Sequence, residues 1–485
     1  MSDIRNLEPK IVWNFFYDLT RIPRISKKEK KVVDYIVNFG KEHNLETVVD
    51  KVGNVIIRKP ATKGMEKKKG IILQSHLDMV PQKNNDKKHD FEKDPIEAIV
   101  DGEWVRANGT TLGADNGIGV AASLAILAAK DVSHGPLEAL FTIDEETGMT
   151  GAFGLKKGLL KGDILINLDS EDENEICVGC AGGIDISAVR KYKEEAVPGE
   201  MVAYKITAKG LKGGHSGVDI ALGRANANKI IFRFLMQAES DFGIRLAEVS
   251  GGNLRNAIPR ESYAVLLLPS AKTASFEKFV KSYEKMYRAE FAETEPDLSF
   301  SGKKTEKPLS VMNKEDQFAI IRAVFTCPNG VQRMSQAMKG LVETSNNLAI
   351  VKCAKGKFEA HNLCRSSVDS SKEATAWRIA GVFQLIDAKV TISGGYPGWK
   401  PNMASPILKT ATEVYNKMFG KMPEIKAIHA GLECAIIGGV YPSLDMISFG
   451  PTIKHPHSPD EKVNIKSVKN FYHFLCQTLK EVPQK

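Results

Sequence analysis

The 485-residue chain carries 67 basic and 59 acidic side chains, a formal charge of +8, with 42% hydrophobic and 26% charged residues. That length exceeds what one hydrophobic core ordinarily serves, so more than one domain is expected in an otherwise ordinary globular composition. The basic excess is scattered through runs such as residues 27–31 and 63–70 with no interleaved aromatics, which argues against a nucleic-acid partner. No apolar stretch is long enough to span a bilayer, and the opening MSDIRNLEPKIVWNFFYDL lacks the pattern of a secretory signal. Seven cysteines without framework spacing suit a reducing compartment, so a cytoplasmic protein is expected. Cys177 and Cys180 form a lone C-x-x-C with no second ligand pair, and are read as apolar core residues.

In chain order, SKKEKKVVDYIVNFGKEH predicts a helix opened by a capping box of Ser26 and Glu29, followed by apolar residues at helical spacing. GNVIIRK and GIILQSHL read as strands. The alanine-rich NGIGVAASLAILAAK, residues 116–130, reads as a buried helix. LEALFTIDEE and GDILINLDSE are short apolar runs that end in acids. Strands alternating with helices predict an α/β domain with a mostly parallel sheet covered on both faces. From DISAVRKY onward, through MVAYKITAKGL and SYAVLLLP, the pattern alternates as in half-exposed antiparallel strands. Helical patterns at ANANKIIFRFLMQ and EATAWRIAGVFQLI intervene. The Gly394-Gly395 and Pro397-Gly398 cluster marks a break, after which helix and buried strand (DMISFG) return. The expected organisation is an α/β domain at 1–186 and 399–485, interrupted by an α+β insertion at 187–398.

Chemistry-bearing residues recur where the apolar strands run out. His76 and Asp78 end one strand and would project to the same side of an extended chain. Asp115 stands at the start of the alanine-rich helix, Glu145 and Glu146 after another strand, Asp169 after a third, and His457 in KHPHSPDE after DMISFG. Read singly, Asp115 and Asp169 could be helix caps, Glu145 and Glu146 solvated acids, and His457 a loop histidine. Read together, they lie where open α/β sheets collect ligands, outside the carboxyl ends of the strands. Carboxylates gathered there repel one another unless a cation neutralises them. Histidines and carboxylates make a nitrogen and oxygen shell that suits zinc, with cobalt or manganese able to substitute.

SHLDMV, GADNGIGVA, DEETGMTGA, INLDSED, GGHSG and HSPDE, in this order, resemble the motifs of the co-catalytic zinc peptidases, the family of carboxypeptidase G and aminoacylase. The resemblance covers essentially the whole chain and is nearest to the branch that hydrolyses Xaa-His dipeptides. It implies that His76 and Asp169 serve one zinc ion and Glu146 and His457 a second. Asp115, held before a cis peptide to Asn116, would bridge the two. Asp78 would orient His76 through the ring's other nitrogen.

The resemblance further implies cleavage of unblocked dipeptides such as carnosine by a water activated between two zinc ions per subunit, with Glu145 as general base. Broader di- or tripeptides, or N-acyl amino acids, would suit the same scaffold, as would a peptide-binding protein without catalysis. His215 in LKGGHSGVD, Asn256 in GGNLRNAIP, Arg365 in HNLCRSSVDS and Glu433 in HAGLECAII are the expected substrate-binding residues. Arg365 is expected to read the carboxylate end, through the planar pair that arginine forms with a carboxylate, with a solvated arginine as the alternative. The partner implied is a small peptide, with no nucleic acid and no membrane, and the assembly a homodimer.

Overall fold

The computed structural model describes residues 3–485, which divide into two compact units. The first comprises residues 3–179, Pro401–Ala427 and Leu432–Lys485, the second Cys180–Lys400 and Ile428–Gly431.

The first unit is built on an eight-stranded sheet. Its strands are β1 (Glu46–Val49), β2 (Val55–Lys59), β3 (Ile71–His76), β4 (Leu137–Thr142), β5 (Ile164–Asn167), β6 (Glu175–Cys180), β7 (Glu424–Ile428) and β8 (Asp445–Ser448). Their spatial order is β1-β2-β4-β3-β5-β8-β6-β7. The centre, β4-β3-β5-β8, is parallel. β2 runs antiparallel to β4, and β6 antiparallel to β8, so the margins depart from the parallel pattern. Every residue of β3, β4 and β5 is buried, which is why these segments read as unbroken apolar runs. Parallel pairing has a functional consequence. His76, the acids after Thr142 and Asp169 after Asn167 all leave the sheet at the same edge.

The alanine-rich helix Ala114–Ala128 is buried nearly all round and packs against helix Lys10–Thr20 and β3. Gly117 permits the approach to helix Lys10–Thr20: a Cβ there would lie 3.0 Å from the Phe16 ring. The helix is not regular at its start. Asp115 and Asn116 have non-helical dihedrals, and the peptide between them is cis.

The capping box expected at Ser26 and Glu29 does not form. The helix begins at Lys30 with no side-chain cap. The Ser26 hydroxyl instead donates to Asp78 Oδ2 (2.8 Å), and Glu29 Oε1 accepts from the backbone N–H groups of Lys27 (2.7 Å) and Asp144 (3.0 Å). Long-range partners with buried groups to satisfy have claimed both side chains. A separate four-stranded antiparallel sheet joins Ala98–Asp101 and Trp104–Ala107 to the hairpin of Ile453–Lys454 and Lys462–Asn464. The loop of this hairpin, 455–461, carries His457.

The second unit is an antiparallel sheet with helices Ala227–Phe242, Thr273–Glu290, Lys314–Thr326 and Asp369–Gln384 packed on it. Phe234, Phe242, Phe276, Phe279, Tyr283 and Phe300 interlock in its core at edge-on and tilted angles. Cys177 and Cys180 are buried. Among the described residues, no helix is long and apolar enough to cross a membrane.

Asn54 ties β2 to the turn that carries Glu145 and Glu146. It is fully buried, accepts from Ile143 N (3.3 Å) and donates to Asp50 Oδ2 (2.7 Å) and Gly151 O (2.9 Å). Asn54→Ala leaves these buried groups unpaired, so a loss of about 1–3 kcal/mol of unfolding free energy is expected in denaturant titration.

Candidate metal centre

The strand edge gathers the predicted residues into overlapping donor groups, one of them His76 with Glu145 and Glu146, and two of them joined through Asp115. His76, Asp115 and Asp169 offer ligand atoms within 4.8 Å of one another, and so do Asp115, Glu146 and His457. Asp115 belongs to both. His76 Nε2 lies 3.1 Å from Asp115 Oδ1 and 3.4 Å from Asp169 Oδ1. His457 Nε2 lies 3.2 Å from Asp115 Oδ2 and 2.9 Å from Glu146 Oε2. Each oxygen of Asp115 thus faces a different imidazole, because the irregular start of its helix leaves the carboxylate clear of capping.

The tautomer of His76 follows from its other nitrogen. Nδ1 sits 3.2 Å from the Asp78 carbonyl oxygen and 3.4 Å from Asp78 Oδ1, both acceptors, so Nδ1 carries the proton. The Nε2 lone pair then points at two carboxylate oxygens. Lone pairs facing lone pairs repel, and something positive must stand between them. A proton on each imidazole satisfies one contact; a divalent cation satisfies every donor in a set. Glu146 Oε1 is buried with no hydrogen-bond partner, a further donor left over. The donor types and their convergence therefore fit a pair of divalent cations.

The charges report the same strain. Burial and the nearby Asp115 and Glu146 charges push Asp169 up to about 6, against the pull of His76. Burial, with Asp169, Glu433 and Glu146 close by, raises Glu145 well above the ordinary carboxylate range. Hydrogen bonds to Asp115 and Glu146 carry His457 up to about 11. Burial disfavours the Asp115 carboxylate, but when both imidazoles carry a second proton in place of a cation, hydrogen bonds from His457 and His76 outweigh it and hold the group below its usual range.

Asp78 is not in either set. It is fully buried, with Oδ1 accepting from Glu145 N (3.0 Å) and Oδ2 from Glu146 N (3.2 Å) and Ser26 Oγ. Burial works against its ionisation, yet the His76 contact and these donors hold it at about 2. One carboxylate therefore orients His76 and fixes the backbone of both acids after β4. That turn is braced again by Asp144, whose carboxylate accepts from the hydroxyls of Thr147 and Thr150. Asn116 Nδ2 donates to Asp169 Oδ1 (2.5 Å) and Leu168 O (2.8 Å).

The expected substrate-binding residues fall in different places. Glu433 lies in the first unit, 2% exposed, with Oε2 accepting from Gln74 Nε2 (2.6 Å) and Thr142 Oγ1 (2.6 Å). Its Oε1 is buried without a partner, and burial pushes the group up to about 7. His215, Asn256 and Arg365 lie in the second unit. The short pairing of Gly214–His215 with Ala257–Ile258 brings their two motifs together, and Ser216 N donates to Asn256 O (2.8 Å). The Asn256 side chain is exposed. Arg365 is buried, with Nη1 donating to Tyr396 Oη (3.1 Å) and Nη2 lying 3.5 Å from His215 Nε2. Gly217 N and Val218 N both donate to His215 Nδ1 (3.2 and 3.1 Å), which leaves Nε2 as the ring's proton-bearing nitrogen.

Sequence reasoning missed Arg24, Asn54, Asp144 and Glu461, which hold this geometry, and gave Glu29 to a helix cap instead. The acid ending HSPDE was the one available signal for Glu461.

With this geometry in view, the comparisons assign the class. A model of peptidase family M20/M25/M40 matches residues 72–481, and the chain belongs to that family. It is 47% identical, over 487 aligned positions covering 100% of both chains, to the cytosol non-specific dipeptidase of Escherichia coli (strain K12). The solved structure of an aminoacylhistidine dipeptidase from Vibrio alginolyticus matches with a TM-score of 0.96 at 47% identity, over 100% of this chain and 99% of that one. An aminopeptidase PepT from Bacillus cereus shares the fold at a TM-score of 0.58 and 16% identity, over 98% and 99% of the respective chains.

Asp78→Ala removes the acceptor that sets His76 and the two amides after β4. Metal affinity in equilibrium dialysis, and activity with it, should fall roughly 10- to 100-fold. Undiminished metal content and turnover would contradict the assigned role of Asp78.

Proposed function

We propose that this chain is a metal-dependent dipeptidase that hydrolyses unblocked dipeptides, Xaa-His peptides such as carnosine among them. The observation that carries the reading is Asp115, shared by two donor sets with one imidazole aimed at each oxygen. His76 and Asp169 are the ligands of one ion, Glu146 and His457 of the other, and Asp115 of both. Zinc suits this nitrogen and oxygen shell, at two ions per subunit, with cobalt or manganese as substitutes. Bound there, the ions would supply an acidified water and polarise the scissile carbonyl.

The chain's own residues supply the rest. Glu145 is the general base: it takes the proton of the attacking water and returns it to the leaving amine. Its buried, carboxylate-crowded setting favours holding that proton. Glu433 offers the partnerless Oε1 to the substrate's free ammonium, which explains a requirement for an unblocked N-terminus. Arg365 is the guanidinium for the substrate carboxylate, held in orientation by Tyr396. His215, with its proton on Nε2, is a donor for the developing oxyanion, and Asn256 joins it in contacting the peptide.

Both dipeptidase relatives support the substrate class, one named without preference and one for histidine. The cytosolic name of the first supports a cytoplasmic setting. Trp377 and Leu385, 66% and 88% exposed on the second unit, support a homodimer that covers them.

Glu145→Gln should retain wild-type zinc while kcat on a dipeptide falls about 10²- to 10⁴-fold. Chelation should abolish turnover and added zinc restore it. In a panel of free and N-acetylated dipeptides, only the free forms should be cleaved. Cleavage of acetylated forms at equal rates would overturn the dipeptidase reading in favour of an amidohydrolase.

A further inference from the structure

We propose that Glu461 is a positioning residue for the shared ligand Asp115 and for His457, acting through the backbone of residues 112–115; this rests on the metal reading above. Its side chain is 2% exposed and accepts four consecutive backbone N–H groups. Oε2 takes those of Leu112 (2.7 Å) and Gly113 (2.9 Å), and Oε1 those of Ala114 (2.7 Å) and Asp115 (3.2 Å). Those of Gly113, Ala114 and Asp115 are donors that the start of a helix leaves unpaired, and no local side chain caps them. Burial pushes the carboxyl up to about 7, and these backbone donors work against that rise.

The same glutamate closes the hairpin loop 455–461, four residues after His457. That loop needs an anchor. His455 and His457 both adopt positive φ (55° and 59°), a backbone state that persists only where surroundings impose it. The His457 side chain is 50% exposed, so packing does not impose it. The Glu461 carboxylate does, by clasping the loop to the turn that presents Asp115.

The other side of the turn is held by Arg24, also 2% exposed. Its Nη1 donates to the carbonyls of Leu77 (2.9 Å) and Asp78 (3.0 Å), and its Nη2 to that of Gly113. The turn is thus bracketed, its N–H groups by a carboxylate and a carbonyl by a guanidinium. The bracket extends to the segment just after His76. The 3.2 Å approach of His457 Nε2 to Asp115 Oδ2 is therefore set by a residue that stands outside both donor sets.

The test is Glu461→Gln in the full-length protein, which keeps the side chain's shape but removes its charge and one of its two acceptor oxygens. Zinc dissociation constants are read by competition with a chromophoric chelator, and ligand geometry by the visible spectrum of the cobalt-substituted protein. The expected result is one ion weakened about 10- to 100-fold, an altered cobalt spectrum, and a lower kcat at unchanged KM. In a His457→Ala background the same change should add little further loss of zinc affinity, because both act on one ligand set.

Wild-type affinity and spectrum in Glu461→Gln, whatever its melting temperature, would overturn the proposal and leave Glu461 a helix cap only. So would losses that simply add in the double variant. If the glutamine variant does not fold, Glu461→Asp, which keeps the charge but shortens the reach, carries the same measurements with the same two outcomes. A wild-type protein that binds no second ion would refute the metal reading itself.

Discussion

The structure turns on an electrostatic conflict at one edge of a parallel sheet. Asp115, Glu146 and Asp169 are drawn together with Glu145 close by, and the two imidazoles that join them aim lone pairs or protons at the same few oxygens. Among buried groups such an arrangement is costly unless positive charge sits within it. Asp115 is where the conflict concentrates, since each of its oxygens serves a different imidazole. A pair of divalent cations would resolve every contact at once, and such a pair can activate a water for amide hydrolysis.

Holding this geometry falls to side chains that grip backbone. Asp78 accepts from the amides of Glu145 and Glu146, Glu29 from that of Asp144, and Glu461 from the four that precede and include Asp115. Arg24 grips carbonyls on the opposite side. Catalytic geometry tolerates errors of only about half an ångström, and loops at strand ends do not meet that standard unaided. Buried charged groups bonded to consecutive peptide units convert loops into fixed platforms.

Much of this was legible in the sequence, and the reason is topological. A parallel strand buried on both faces is an apolar run, and it ends abruptly where chemistry begins. IILQSH, LEALFT and ILIN each announce their own carboxyl end. The α/β class and the residues gathered at the edge follow from that signature together with the motif order. What stayed hidden depends on partners distant in sequence. Ser26 and Glu29 match a capping box letter for letter, yet buried amides and Asp78 compete for them and win. The antiparallel margins of the sheet are invisible because β2 is as apolar as its parallel neighbours. Glu461 and Arg24 look like ordinary surface charges until the fold shows which peptide groups they reach. The burial of Arg365 beside Tyr396 belongs to the same class of fact.

The most direct test of the central claim is X-ray crystallography of the zinc-loaded protein with anomalous scattering at the zinc edge. The account predicts two zinc peaks roughly 3.5–4 Å apart, with one oxygen of Asp115 on each, His76 and Asp169 on the first ion and Glu146 and His457 on the second. A single fully occupied zinc, or two ions that share no carboxylate, would contradict it.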